Sequence, residues 1–481
     1  MYKSITGETL MNNYIQTETN GQLAFSADPS EYISIPSSLE GLHCSTTDTH
    51  TSLSGRMVYL VYARLINDGS GCTCVSCGKR MHVNRHMKTI IRHLPVGEAL
   101  MQVEVERTQY YCPDCGKTML QEIPCKAKSH QISKALENYT RDLLAYGFTN
   151  KEVAELTGLG KNTVKAIDKA RLLEKYTVDG KELRKPYHLC SYLAIDEFKL
   201  HDGYHYATHI IDLETGHILW IAEGKKKQVV YDFINYIGDE WMSHVVAVAC
   251  DMNSDFEEAF IEKCPHLQIV YDHFHIVKNF NDKVVSAVRK DEQRRLIEEG
   301  NVEAAKDLKK TKYILTSSRD TLLKKEIDAE KERVLSKESS LFNTEEVIRK
   351  GGQYYRYQKL VGENRLFFTI DLIKDLLDAA YKSHNTAQMA GYMNTIVELC
   401  AGTENSHFIR FSNLLTNHYA GILSHAEHPI ASGKIEGINQ KIKTVRRQGY
   451  GYPDDEYFFL KIIDQSHKEY IRNPKSHKIY D

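Results

Sequence analysis

Apolar positions change their period several times along the chain, and those changes divide it. Over residues 1–55 Ser, Thr and Asn are abundant and periodicity is weak, which predicts a partly ordered lead-in. From 56 to 128 short strand-like runs surround paired cysteines. Residues 129–187 contain apolar positions at helical spacing, chiefly from about 131 to 175. Strands and helices alternate from 188 to about 275, and the stretch up to 425 reads as helix rich in Glu and Lys, broken at Gly351 and Gly352.

The alternating region has a legible order. Tyr192 to Ile195 form an apolar run that ends at Asp196. HYATHIIDLETG and HILWIAEG read as two strands joined at Glu214, Thr215 and Gly216. KKQVVYDFINYIG has helical spacing, VVAVACD is a buried strand ending at Asp251, DFEEAFIEKCP is a helix, and LQIVYDHFHIV is a buried segment ending near Asp272. Three strands, helix, strand, helix, strand describe a ribonuclease-H-like mixed sheet within an α+β, multidomain chain. There the first and fourth strands are neighbours, which brings Asp196 and Asp251 side by side. A lone Asp ending a strand is usually a turn former or cap. Two adjacent carboxylates raise one another's pKa, and bound divalent cations remove that cost.

A third acid follows much later. Ile435, Ile438, Ile442 and Val445 line one face of a predicted helix, and Glu436, Asn439, Gln440, Lys443 and Arg447 lie on the adjacent face. With Lys441 and Arg446 this helix is a basic track beside an acid, suited to a nucleic-acid backbone next to a metal. The nearest rival acid, Glu427, sits in a loop bearing His and Pro. The stretch between Asp251 and Glu436 far exceeds what a bare fold of this kind needs. Residues 188–285 therefore read as the first part of a catalytic core, 286–425 as an all-α insertion, and 426–481 as the core's final helix and tail.

Two further modules precede the core. Cys74-Val-Ser-Cys77 and Cys112-Pro-Asp-Cys115 are each followed by Gly-Lys, a turn that aims both thiolates at one ion. The reading for 56–128 is a zinc ribbon with a closed, structural Zn site. Cys72, His82 and His86 are alternative donors for one position. NKEVAELTGLGKNTVKAIDK, residues 150–169, reads as a helix-turn-helix within 129–187. Val153, Ala154 and Leu156 would form the first apolar face, Gly158 the turn, and Leu159, Val164 and Ile167 the second face. Lys161, Asn162, Thr163 and Lys165 would point outward to DNA.

Composition refines the picture. The 481 residues are 42% apolar and 26% charged, as in a globular protein of two to four domains. No run of about 18 apolar residues is present, which argues against a membrane span. The first residues lack the pattern of a signal peptide, so a cytoplasmic location is expected. Eleven cysteines in such a chain do not imply a disulfide framework. A formal net charge of -2 is unusual for a DNA-binding protein, but basic patches occur at Lys79–Arg92 and Lys434–Arg447, and phosphate contact is made by patches.

Together the CxxC pairs, Asp196-Glu197, Asp251-Met252, YDHFHIVK from Tyr271 and GKIEGINQKIKTVRRQGYGY from Gly433 resemble bacterial insertion-sequence transposases of the DDE type, most closely the ISL-three (ISL3) family. The resemblance covers about residues 70–465. It departs from the family's usual residues at His273 and at Ile430–Gly433, outside the triad. It implies that Asp196, Asp251 and Glu436 bind two Mg²⁺ ions, with Mn²⁺ a possible substitute, for DNA cleavage and strand transfer. Asp272, His273 and His275 would support that site. Terminal inverted repeats and target DNA are the implied partners, with a homodimer or larger assembly on DNA at the nucleoid. The competing readings are a ribonuclease-H-like nuclease that cuts without joining and a non-catalytic DNA-binding regulator. A zinc-dependent hydrolase ranks last, because four thiolates leave no open metal position.

Overall fold

The computed structural model describes residues 39–66, 72–252, 254–271, 273–338, 352–430, 433–449 and 452–468, with two short paired strands at Glu18–Thr19 and Gln22–Leu23. The chain forms two compact units, Met1–Lys181 and Glu182–Asp481.

In the first unit, β1 (Leu42–Thr51), β2 (Met57–Leu65), β3 (His82–Val96) and β4 (Ala99–Tyr111) form a sheet in the order β1-β2-β4-β3, and β5 (Thr118–Leu120) pairs with β4. Strand β4 shows why: Ala99, Met101, Val103 and Val105 are buried at a period of two. Strand β1 lies inside the segment expected as a lead-in. It is an edge strand of Ser, Thr and His, exposed along most of its length, which hides the strand pattern.

Three helices follow: α1 (Lys134–Tyr146), α2 (Asn150–Thr157) and α3 (Lys161–Tyr176). Ser133 caps α1 by accepting from the Leu136 N–H, and its hydroxyl lies 2.7 Å from Nδ1 of His93 on β3. His93 is buried, and that burial pushes its pKa down to about 4.

In the second unit, β6 (Tyr192–Lys199), β7 (Tyr206–Asp212), β8 (Ile218–Glu223), β9 (Ala247–Cys250) and β10 (Gln268–Tyr271) form one sheet in the order β8-β7-β6-β9-β10. Strand β6 is antiparallel to β7 and parallel to β9, so the first and fourth strands are neighbours as the pattern predicts. Leu193 and Ile195 pack with Phe233 of α4 (Lys227–Ile237) and Phe256 of α5 (Ser254–Lys263). On the opposite face lie α16 (Gly433–Gln448) and α17 (Asp455–Ser466), where Phe198 meets Phe458.

In the apolar run LQIVYDHFHIV, strand β10 ends at Tyr271, next to the expected end near Asp272. The rest of that run is α6 (His273–Asn279), which continues through a π-helical turn (Phe280–Val285) into α7 (Ser286–Glu298). The described residues up to α16 are helical or connecting: α8 (Val302–Lys309), α9 (Lys312–Thr316), α10 (Arg319–Glu338), α11 (Gln353–Glu363), α12 (Arg365–Lys382), α13 (Thr386–Gly402), α14 (Ser406–Asn417) and α15 (Tyr419–Glu427). One apolar cluster runs from sheet residues such as Val248 through Phe280 to Phe367, Met393, Phe408 and Ile422.

Helix α15 lies directly on β10. A Cβ at Gly421 would overlap the ring of buried Tyr271. Gly421→Ala is expected to cost about 1–3 kcal/mol through overpacking, read as a lower unfolding temperature. A second prediction concerns pH. Unfolded His93 takes up a proton below about 6.5, whereas folded His93 does so only near 4. Its contribution to stability is therefore complete above 6.5 and lost as pH falls toward 4, up to about 3 kcal/mol. Thermal unfolding across that range should show a weaker pH dependence in His93→Gln.

Candidate active site

The parallel pairing of β6 with β9 sets the geometry. Tyr192, Leu193 and Ala194 are in register with Ala247, Val248 and Ala249, and the same offset puts Asp196 level with Asp251, just beyond the end of β9. Both aspartates line one pocket, with Ala194, Cys250, Tyr271, His275 and Ile435. The predicted juxtaposition of these two acids is thus present in the structure.

Each carboxylate is held in place. Asp196 Oδ1 accepts from the Glu197 N–H at 2.7 Å, and Oδ2 accepts from the Asn439 amide at 2.6 Å. Asp251 Oδ1 accepts from the Met252 N–H at 2.6 Å, and Oδ2 lies 3.0 Å from Nδ1 of His275. Burial raises the pKa of Asp251, but His275, the Met252 N–H and Lys278 outweigh it and hold the carboxyl below its usual range. His275 therefore touches one of the acids, as expected of a supporting residue. His273 packs against Tyr381, 4.1 Å between ring centroids with the rings tilted by 41°. Asp272 lies outside the described residues.

Glu436 is in the first turn of α16 and exposed, and it is not among the residues lining the pocket. One turn on, Asn439 supplies the contact to Asp196, a role the helical spacing alone did not distinguish from a DNA contact. Its Oδ1 is buried with no hydrogen-bond partner. Ile435, Ile438, Ile442 and Val445 are buried as predicted. Lys434 anchors the helix by donating to the carbonyls of Leu213 and Glu214 at 2.6 and 2.5 Å. Of the expected DNA contacts, Lys443 and Arg447 are exposed and Lys441 is half-buried. Arg446 donates to the Lys199 carbonyl at 2.6 Å, so it also fastens α16 to β6.

His209 was not foreseen. It pairs with Asp196 across β6 and β7, is fully buried, and has neither ring nitrogen hydrogen-bonded. Burial pushes its pKa down to about 4, so it is neutral at pH 7. The only sequence signal was a polar residue at a buried position of HYATHIID.

The four predicted cysteines converge. Their sulfurs all lie within 4.8 Å of one another, with Cys74–Cys115 and Cys77–Cys112 at 3.5 Å and Cys77–Cys115 at 3.9 Å. Two matching turns produce this: Gly78 and Gly116, both at φ 69, donate to the carbonyls of Cys74 and Cys112. Backbone N–H groups of Ser76 and Cys77 hold the Cys74 thiol down to about 6. Lys79 reaches Asp114 of the other turn at 3.0 Å, and Lys117 reaches Ser76 at 2.7 Å. Cys72, His82 and His86 are not part of the cluster. The basic stretch Lys79–Arg92 is partly neutralised, since Lys88 also pairs with Glu104 at 2.6 Å.

Helices α2 and α3 meet at Gly158, φ 70, where an added Cβ would come within 2.5 Å of Leu100. Thr149 and Glu152 form a capping box on α2. Val153, Ala154, Leu159, Val164 and Ile167 are buried as predicted. Leu156 is not: it is 45% exposed, and Thr157 takes the inner position, donating to the Val153 carbonyl. On α3, Lys161 and Asn162 are exposed, while Thr163 and Lys165 are half-buried.

A mixed α/β chain with paired strand-end aspartates and a four-cysteine cluster is, by comparison, a transposase: a family model of that description, for DDE enzymes, matches residues 193–462, more than half of the chain. The chain belongs to the ISL3 family of insertion-sequence transposases. The transposase of insertion sequence element IS1001 from Bordetella parapertussis is 28% identical over 392 residues, 81% of this chain and 87% of that protein. The transposase of IS1557 from Mycobacterium tuberculosis is 25% identical over 192 residues, 39% of this chain and 40% of that protein. The family implies a DNA substrate, DNA-cleaving and strand-transfer activity in general, and the use of divalent metal.

Proposed function

We propose that this transposase binds the terminal inverted repeats of its element and performs Mg²⁺-dependent cleavage and strand transfer through Asp196, Asp251 and Glu436. The observation that carries this reading is the level placement of Asp196 and Asp251 on adjacent parallel strands in one pocket. The donor set fits the metal: hard carboxylate oxygens, with the unpartnered Asn439 Oδ1 close by. The strand order β8-β7-β6-β9-β10 supports a ribonuclease-H-like core.

In this reading Asp196 and Asp251 hold the ions, and Glu436 completes the set from α16 when DNA lies along it. When bound, the metal activates a water or 3′-hydroxyl and stabilises the leaving oxygen. His275 fixes the Asp251 carboxylate, and Asn439 orients that of Asp196. First water forms a bond to phosphorus and the phosphorus–O3′ bond breaks, freeing a 3′-hydroxyl. That hydroxyl then attacks a target phosphodiester, displacing the target's own 3′ oxygen.

The remaining assignments follow the same reading. The cysteine cluster holds a structural zinc ion: a tetrahedron with arms of about 2.3 Å has edges of about 3.8 Å, which the sulfur separations bracket. The zinc module (56–128) and the helix-turn-helix (129–187) bind the element's ends, with Lys161, Asn162, Thr163 and Lys165 toward DNA. Lys441, Lys443, Arg446 and Arg447 follow the backbone along α16. Residues 188–285 and 426–481 are the catalytic core and 286–425 its insertion. Two ends must be joined, so a homodimer or larger assembly forms on DNA, at the bacterial nucleoid.

A labelled duplex carrying one element end and its flank, incubated with a target plasmid and Mg²⁺, tests the chemistry. Cleaved and joined products are expected, and Asp251→Asn should reduce both by about 1,000-fold or more. Cleavage without joining would favour a nuclease, and equal binding without cleavage a regulator. For the cysteine cluster, about one equivalent of zinc per chain is expected, released on Cys112→Ser. Its loss should lower the unfolding temperature by about 5 °C or more; a zinc-free, equally stable protein would refute the assignment.

A further inference from the structure

The helices between β10 and α16 carry a second concave surface. A groove of about 450 Å³ is lined by Asn279, Lys283, Arg410, Asn413, Asn417 and His418, with Phe411 and Leu414 among its apolar residues. No carboxylate lines it. Lys283, Arg410, Asn413 and Asn417 are exposed, and among the described residues neither Lys283 nor Arg410 has an ion-pair partner. Of the neighbouring acids, Asp282 pairs with Lys312 at 3.4 Å, and Asp291 lies 2.8 Å from Nε2 of His407, which also lines the groove.

The groove adjoins the pocket of the two aspartates at two points. His418 Nδ1 lies 3.0 Å from the Tyr271 hydroxyl, and Tyr271 also lines that pocket. His275, which touches Asp251, is one turn before Asn279 on α6, and the π-helical turn then carries Lys283. π-Helical turns of this kind are frequent at functional sites. The other wall is one face of α14, where positions 410, 413 and 417 follow helical spacing. These span about 10 Å of helix.

We infer that this groove holds the phosphodiester backbone of the DNA arm leading to the scissile phosphate, with Lys283 and Arg410 on phosphates and the asparagines donating to backbone oxygens. The inference rests on the function proposed above and adds a contact surface outside the carboxylate pocket. Two cations with no ion-pair partner among the described residues, amide donors and continuity with the pocket match a polyanion entering the site, and a row of this length exceeds the needs of a single small anion.

The test uses the full chain and a fluorescein-labelled duplex of the DNA bordering the coding sequence, with Ca²⁺ replacing Mg²⁺ to hold the DNA uncut. Anisotropy titrations compare the intact protein, Lys283→Glu/Arg410→Glu, and the control Lys306→Glu/Lys309→Glu, which is exposed and outside the groove. The groove variant should bind about tenfold more weakly, and its salt dependence should fall by about two counterions, at about 0.9 per phosphate contact. The control should match the intact protein, and Lys283→Gln/Arg410→Gln should reproduce the loss with less severity. Circular dichroism of each variant confirms the fold. Equal affinity and salt dependence in groove variant and control would overturn the inference while leaving the proposed chemistry in place. Failure of the intact protein both to bind the duplex and to cut it with Mg²⁺ would overturn the proposed function, and this inference with it.

Discussion

Holding two negative charges at one level of a sheet is the constraint on which the rest of this protein turns. The parallel pairing of β6 and β9 fixes that level, because the offset set by Tyr192 and Ala247 carries through to Asp196 and Asp251. Carboxylates so placed repel one another unless neighbours or cations compensate. The chain supplies the first kind of compensation: backbone N–H groups on both acids, Asn439 on one and His275 on the other. Those contacts explain why α16 is fastened to the sheet by Lys434 at one end and Arg446 toward the other. Without such anchors Asn439 would not stay on Asp196.

How much of this was legible from residues alone depended on whether a local rule decided the outcome. Alternation and apolar runs placed β6 to β9 correctly, because buried strands of a mixed sheet leave a strong period. The buried segment is expected to end near Asp272 and β10 ends at Tyr271; what the apolar run does not show is that its remainder, from His273, is the helix α6, because periodicity cannot separate a short strand from a helix behind it. Strand β1 was hidden for the opposite reason: an exposed edge has no apolar face to reveal it. Leu156 and Thr157 exchanged places because a hydroxyl can bond back to its own helix and be buried cheaply.

The site divides in the same way. Cysteine spacing foretold the sulfur cluster because CxxC turns are local, set by four residues and a glycine at positive φ. The lysines that stitch each turn to the other could not be read off, because that pairing needs the two turns face to face. Asp196 and Asp251 were legible through strand order. The pairing of Tyr271 with His418 arises only from tertiary placement, and for His209 the sequence offers no more than a polar residue at a buried strand position.

The continuous apolar cluster has a consequence for how this molecule is made. Helices α12 to α15 bury Phe367, Met393, Phe408 and Ile422 in the same cluster as Val248 of the sheet. They therefore fold as one cooperative unit with the strands rather than as an appendage. During synthesis the sheet emerges with one side of its core unfinished, and it must wait for residues beyond 420 before closing. A chain truncated in that interval exposes a large apolar surface, so incomplete copies of this protein are aggregation-prone by construction.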